Sequence, residues 1–146
     1  MSEVFRAKFE GREHPGALVI QCSDPRYQSH FQQFLHEKCG LDNYALVAVP
    51  GGPQFLTLVE YLPKFGWVGW RWVKFMLDAT KPPRAILISH EDCRWYQDSR
   101  FLKPLAGIHA SDLKLVRDAF KERFPEIAVE TYLARRDGDH VVFESI

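Results

Sequence analysis

Aliphatic runs and helix-spaced aromatic positions alternate along the chain. Runs at 17–21, 44–49, 85–89 and 127–134, with a shorter one at 140–144, are rich in Val, Ile, Leu and Ala and read as strands. Between them the apolar period changes to that of a helix. Residues 27–38 place Tyr27, Phe31, Phe34 and Leu35 on one face. Residues 111–124 open with Ser111 as an N-cap, continue through Leu113, Val116, Phe120 and Phe124, and stop at Pro125. The connection from 50 to 84 is less regular. Pro50-Gly51-Gly52-Pro53 predicts a loop, since two prolines and two glycines suit neither a helix nor a central strand. Helices are expected over about 55–62 and 66–79, the second ending before Lys81-Pro82-Pro83. Strands alternating with helices predict an α/β fold: a mostly parallel central sheet of four to five strands with helices on both faces. No linker divides the chain, so residues 1–146 are expected to form a single domain.

Charge narrows the partners. Nineteen basic and nineteen acidic residues cancel, leaving no electrostatic footprint for nucleic acid or anionic lipid. No run approaches the roughly 20 apolar residues that span a bilayer, and the first residues lack the apolar stretch of a signal peptide. The expected location is the cytoplasm. Three cysteines, odd in number and far apart, do not form a disulfide framework, so thiols in a reducing compartment act as ligands, reactive groups or core filling.

Two short motifs change the picture. Cys22-Ser23-Asp24-Pro25-Arg26 begins where the first run ends, and His90-Glu91-Asp92-Cys93 begins where the third ends. If those runs are neighbouring parallel strands, two thiols and one imidazole converge at the carboxyl edge of the sheet, where open α/β sheets bind ligands. Cys22, His90 and Cys93 then form a Cys2His set, which in zinc enzymes leaves a fourth position open. An extended chain sends residues i and i+2 to the same side, so Asp24 faces the site with Cys22. Arg26 is close enough to hold the Asp24 carboxylate in two parallel hydrogen bonds. Asp24 would then accept a hydrogen bond from water on the metal or fill the fourth position itself.

Other readings remain open for the same residues. Cys22 and Cys93 would also suit a buried core, and Asp24 with Arg26 a plain surface ion pair. A phosphatase loop needs Arg six positions after its Cys, and residue 28 is Gln. Cys39, before Gly40, carries no motif and reads as structural. His14, His30, His36, His109 and His140 lack ligand spacing and read as surface or capping residues. The aromatic stretch from Phe65 to Met76 reads as a helix packed on the sheet, with a subunit interface as the alternative.

Cys-x-Asp-x-Arg at one strand end, followed by His-x-x-Cys at another, resembles the beta-class carbonic anhydrases over about residues 17–96. The resemblance implies a zinc ion held by Cys22, His90 and Cys93, with Asp24 and Arg26 as the catalytic acid-base and orienting pair. It implies a lyase that reversibly hydrates carbon dioxide to bicarbonate through a zinc-bound hydroxide, assembled as a homodimer or higher homo-oligomer. In some members the Asp closes the fourth position and the Arg releases it. The chain departs from the family where Arg94 and Trp95 follow Cys93 in place of small residues, and where Val49-Pro50-Gly51-Gly52 replaces an Arg-Asn loop. It also has only 21 residues before Cys22, less than the helical arm that wraps a partner subunit in that family. Two alternatives stand beside this reading. One is a non-catalytic zinc-binding relative whose metal is structural and whose aromatic surface mediates assembly. The other is a metal-free thiol protein with a reactive Cys22.

Overall fold

A computed structural model describes residues 2–57, 63–98 and 109–146. Its elements run β1 (Leu18–Cys22), α1 (Gln28–Glu37), β2 (Ala45–Val49), a 3-10 helix (Gly52–Leu56), α2 (Pro63–Thr80), β3 (Arg84–His90), α3 (His109–Arg123), β4 (Ala128–Asp137) and β5 (His140–Ser145). One sheet has the order β2-β1-β3-β4-β5. Its first four strands are parallel, and β5 returns antiparallel to β4 as a hairpin.

The aliphatic runs become the central strands because both of their faces are covered. Val19, Ile86 and Ile88 face one side, packed with Phe31 and Leu35 of α1. Leu18, Ile20 and Leu87 face the other, packed with Val73 and Leu77 of α2 and with Leu113, Val116 and Phe120 of α3. Each fully buried Leu or Ile stabilises the fold by about 1.5–3 kcal/mol. Strand β2 lies at the sheet edge and alternates between half-buried and exposed positions. The fold class expected from the sequence is the one observed.

The irregular connection differs from expectation. Gly52 and Pro53 open the 3-10 helix rather than lying in a loop. Proline is tolerated in a first turn, where its missing N–H has no partner to lose. The helix expected over 55–62 is a 3-10 segment ending at Leu56, and residues 58–62 lie outside the described residues. A Cβ on Gly52, at φ +57°, would lie 2.8 Å from the Cys22 nitrogen and 3.0 Å from the Ile88 oxygen. Only glycine lets this segment rest on the carboxyl ends of β1 and β3.

Two further boundaries moved. Helix α3 begins at His109, so Ser111 sits inside its first turn and is not the N-cap. Helix α2 begins at Pro63, three residues earlier than the apolar period indicates. It packs on the sheet as expected, yet Trp67 and Phe75 remain 65% and 67% exposed. No described helix is long and apolar enough to cross a membrane.

Candidate metal centre

Parallel pairing decides the site. Gln21 is opposite Ile88, so β1 and β3 finish at the same edge of the sheet, with Cys22 at the end of one and His90 at the end of the other. The turn at Glu91 and Asp92 then brings Cys93 back beside Cys22. All three side chains are buried, and their ligand atoms lie within 4.8 Å of one another. Cys22 Sγ and Cys93 Sγ are 3.7 Å apart. Two sulfurs on a tetrahedral zinc with bonds of about 2.3 Å are separated by roughly 3.8 Å.

The imidazole supplies the second test of fit. His90 Nδ1 lies 3.2 Å from Asp92 Oδ1, while Nε2 is buried with no hydrogen-bond partner. With the proton on Nδ1 and directed at the carboxylate, the Nε2 lone pair is left for a metal. A buried nitrogen without a partner costs about 1–3 kcal/mol, and a cation removes that cost. The donor set fits a zinc-type ion.

Backbone amides favour thiolate at both sulfurs. Gly51 and Asp24 N–H groups point at Cys22, and the Trp95 N–H points at Cys93. The contact between the sulfurs splits their proton affinities. It draws Cys93 down, with His90 assisting against burial, and it pushes Cys22 up together with burial.

Asp24 borders this group, with Oδ2 3.8 Å from His90 Nε2. Its carboxylate is gripped by Arg26. Arg26 Nη2 donates to Asp24 Oδ2 at 2.7 Å and Nε to Oδ1 at 3.0 Å, and the Arg26 backbone N–H also reaches Oδ1 at 3.0 Å. These bonds outweigh burial and hold the Asp24 carboxyl down to about 2, so it is ionised throughout the ordinary pH range. Gln28, the first residue of α1, ties the loop down by donating to the Cys22 and Asp24 carbonyls.

Several residues at the site carried no signal of their own. Asp92 lies inside the second motif, but spacing did not say where its carboxylate points. Tyr27 was legible only as part of the apolar face of α1. Its ring packs tilted against the His90 ring, centroids 4.2 Å apart, and its hydroxyl donates to Asp92 Oδ1 at 2.8 Å. His109 corrects the expectation of a surface or capping residue. It is buried, its ring 3.8 Å from that of Tyr96, because the first turn of α3 packs on the segment that follows Cys93. The Tyr96 hydroxyl donates to buried Asp112 Oδ2 at 2.8 Å. Trp95 lies so close over Gly51 that a Cβ there would meet its ring at 2.3 Å. Cys39 is half-buried, and its backbone carbonyl accepts from Arg84 Nη2.

No protein-family model matches the chain. An uncharacterized protein of Rickettsia conorii is 22% identical over 142 residues, covering 93% of this chain and 76% of that protein. Among solved structures, a carbonic anhydrase from Glaciozyma antarctica superposes with a TM-score of 0.54 at 15% identity, over 89% of this chain and 83% of that one. A beta-carbonic anhydrase from Trichomonas vaginalis gives 0.54 at 12% identity, over 95% and 87%. The carbonic anhydrase from Streptococcus mutans gives 0.52 at 12%, over 94% and 87%. The chain has the beta-carbonic anhydrase fold.

Within the beta-carbonic anhydrase fold, this chain carries a buried Cys-His-Cys group able to bind a metal, with an ion-paired carboxylate beside it. Both lie at the carboxyl edge of the parallel strands, which is where an α/β sheet presents its ligand site.

Proposed function

We propose that the protein is a zinc-dependent, carbonic anhydrase-like lyase that reversibly hydrates carbon dioxide to bicarbonate. Cys22, His90 and Cys93 hold the metal, and Asp24 and Arg26 govern its fourth position. The observation that carries this reading is the unpartnered, buried His90 Nε2 beside two sulfurs 3.7 Å apart, next to an ionised carboxylate. When bound at such a ligand set, zinc supplies water acidified to near neutral pH. Asp24, locked as a carboxylate, accepts a hydrogen bond from the group at the open position and orients it towards substrate. Arg26 keeps Asp24 in that role by occupying both of its oxygens.

Assembly as a homodimer or higher homo-oligomer belongs to this reading, as does a cytoplasmic location. The exposed Trp67, Trp72 and Phe75 of α2, with Val4, Phe5 and Phe9 near the N-terminus, support assembly as apolar side chains left uncovered by the chain itself. A non-catalytic relative is the second reading. Trp95, packed over Gly51 beside Cys22, favours it because a bulky ring stands close to the metal group.

Metal content by mass spectrometry, on untagged protein purified without added metal, tests the site. About one zinc per chain, lost in Cys93→Ser, is expected, with a closed tetrahedral set being the alternative to an open one. Stopped-flow hydration of carbon dioxide by the zinc-loaded protein then tests the activity. Activity abolished by Asp24→Ala with zinc retained supports the enzyme. Full zinc with no hydration at any pH supports the non-catalytic relative, and no zinc at all ends both readings.

A further inference from the structure

Asp92 is neither a metal ligand nor a member of the Asp24–Arg26 pair, yet its one carboxylate joins the two motifs. Oδ1 accepts from the Tyr27 hydroxyl at 2.8 Å and faces His90 Nδ1 at 3.2 Å. Oδ2 accepts from Arg26 Nη1 at 2.7 Å, and the Asp92 backbone oxygen accepts from Arg26 Nη2 at 3.0 Å. Together with the bonds to Asp24, four of the five guanidinium N–H donors of Arg26 are engaged. An isolated Arg26–Asp92 pair, with the guanidinium side chain 41% exposed, would do little. This carboxylate differs because it also touches an imidazole that is wholly buried.

The geometry points to Asp92 as a positioning residue that couples the aim of the His90 imidazole to the state of the Asp24–Arg26 pair. The inference deepens the metal reading above and rests on it. The two carboxylate oxygens have different tasks. Oδ1 fixes the Nδ1 proton and, with the Tyr27 ring packed against it, the plane of the imidazole, so that Nε2 faces the sulfurs. Oδ2 anchors Arg26 at the guanidinium edge next to the one that grips Asp24, with Nη2 shared between the two. That anchor keeps the guanidinium where it grips Asp24 and would hold the carboxylate back from the fourth position of a bound metal. Without it, only the Asp92 backbone oxygen still ties Arg26 to the second motif, and the carboxylate and guanidinium are freer to part. The fourth position would then pass to Asp24.

Asparagine separates the tasks. Asp92→Asn retains an oxygen acceptor for Tyr27 and His90 but turns an amide N–H towards Arg26 Nη1, donor against donor. Asp92→Ala removes both functions. Affinity is read by competition with a chromophoric zinc chelator, and the fourth ligand by the visible spectrum and X-ray absorption of cobalt-substituted protein. Asp92→Ala is expected to weaken zinc binding about 10- to 100-fold, as loss of a carboxylate behind a ligating imidazole does elsewhere, and Asp92→Asn by less than about threefold. The cobalt spectrum of Asp92→Asn should show a carboxylate ligand that disappears when Asp24→Ala is added. Thermal unfolding of the apo-proteins checks that each variant folds; should Asp92→Ala fail, the Asp92→Asn spectrum decides. Zinc affinity of a folded Asp92→Ala within about twofold of wild type, or an unchanged cobalt spectrum in Asp92→Asn, would overturn the role. Wild-type protein that binds zinc but hydrates no carbon dioxide would sink the enzymatic reading alone, and a loss of affinity in Asp92→Ala would still uphold Asp92.

Discussion

Gly52→Ala probes the joint between the 3-10 helix and the metal group. Gly52 has φ +57° and would place a Cβ 2.8 Å from the Cys22 nitrogen and 3.0 Å from the Ile88 oxygen. Both atoms are backbone, locked in the pairing of β1 with its neighbours, so neither yields as a flexible side chain would. Gly40 is an internal control, since it has φ +67° and open space where a Cβ would go. Gly40→Ala therefore carries only the left-handed backbone penalty, about 1 kcal/mol. Gly52→Ala carries that penalty plus an overpacking cost of about 1–3 kcal/mol, for a total of about 2–4 kcal/mol. At this chain length each kcal/mol lowers the melting temperature by about 2–4 °C. Urea titration of the apo-proteins measures both variants, and chelator competition follows zinc affinity. Relief of the clash moves the 3-10 helix outward and carries the Gly51 N–H away from Cys22, so metal binding should weaken along with stability. If Gly52→Ala lies within about 0.5 kcal/mol of Gly40→Ala, the tight seating of this segment on the strand ends is wrong.

Acid should remove the contribution of Asp24. Its carboxyl is held at about 2 against an ordinary 3.8, so the stabilisation is complete above about pH 4 and is lost as pH falls towards 2. The shift corresponds to about 2 kcal/mol, reduced to about 1 kcal/mol by solvent screening around the part-exposed Arg26. The stability gap between wild type and Asp24→Asn in the apo-protein should close across that window, and a gap that widens would refute the pairing. Ile88→Ala, buried in the central strand, should cost about 2–5 kcal/mol in urea unfolding. Leu46→Ala on the edge strand, with its side chain 45% exposed, should cost less than about 1 kcal/mol, and equal costs would contradict the sheet order. Trp67→Lys is expected to shift the protein to a smaller species in light scattering after size exclusion. An unchanged mass would remove α2 from any subunit interface.

The sequence by itself determined what depends on neighbours a few residues away. Apolar runs such as Leu18–Ile20 and Ala85–Ile88 and the helical period of Phe31 and Leu35 report local backbone preference, so strands, helices and α/β class were legible. The ends of two runs also marked where Cys22 and His90 stand, because a strand that stops must release its next residue at the sheet edge. What required tertiary structure was every feature set by contact between distant segments. Gly52 and Pro53 entered a 3-10 helix, whose first residue rests on two strand ends. His109 was buried because α3 begins against Tyr96, a contact its polar type does not announce. Asp92, two residues from His90, turned its carboxylate back to the imidazole and across to Arg26 only once β1 and β3 were paired. Periodicity records which residues avoid water, whereas the aim of a polar side chain depends on which donors the packed chain brings within about 3 Å.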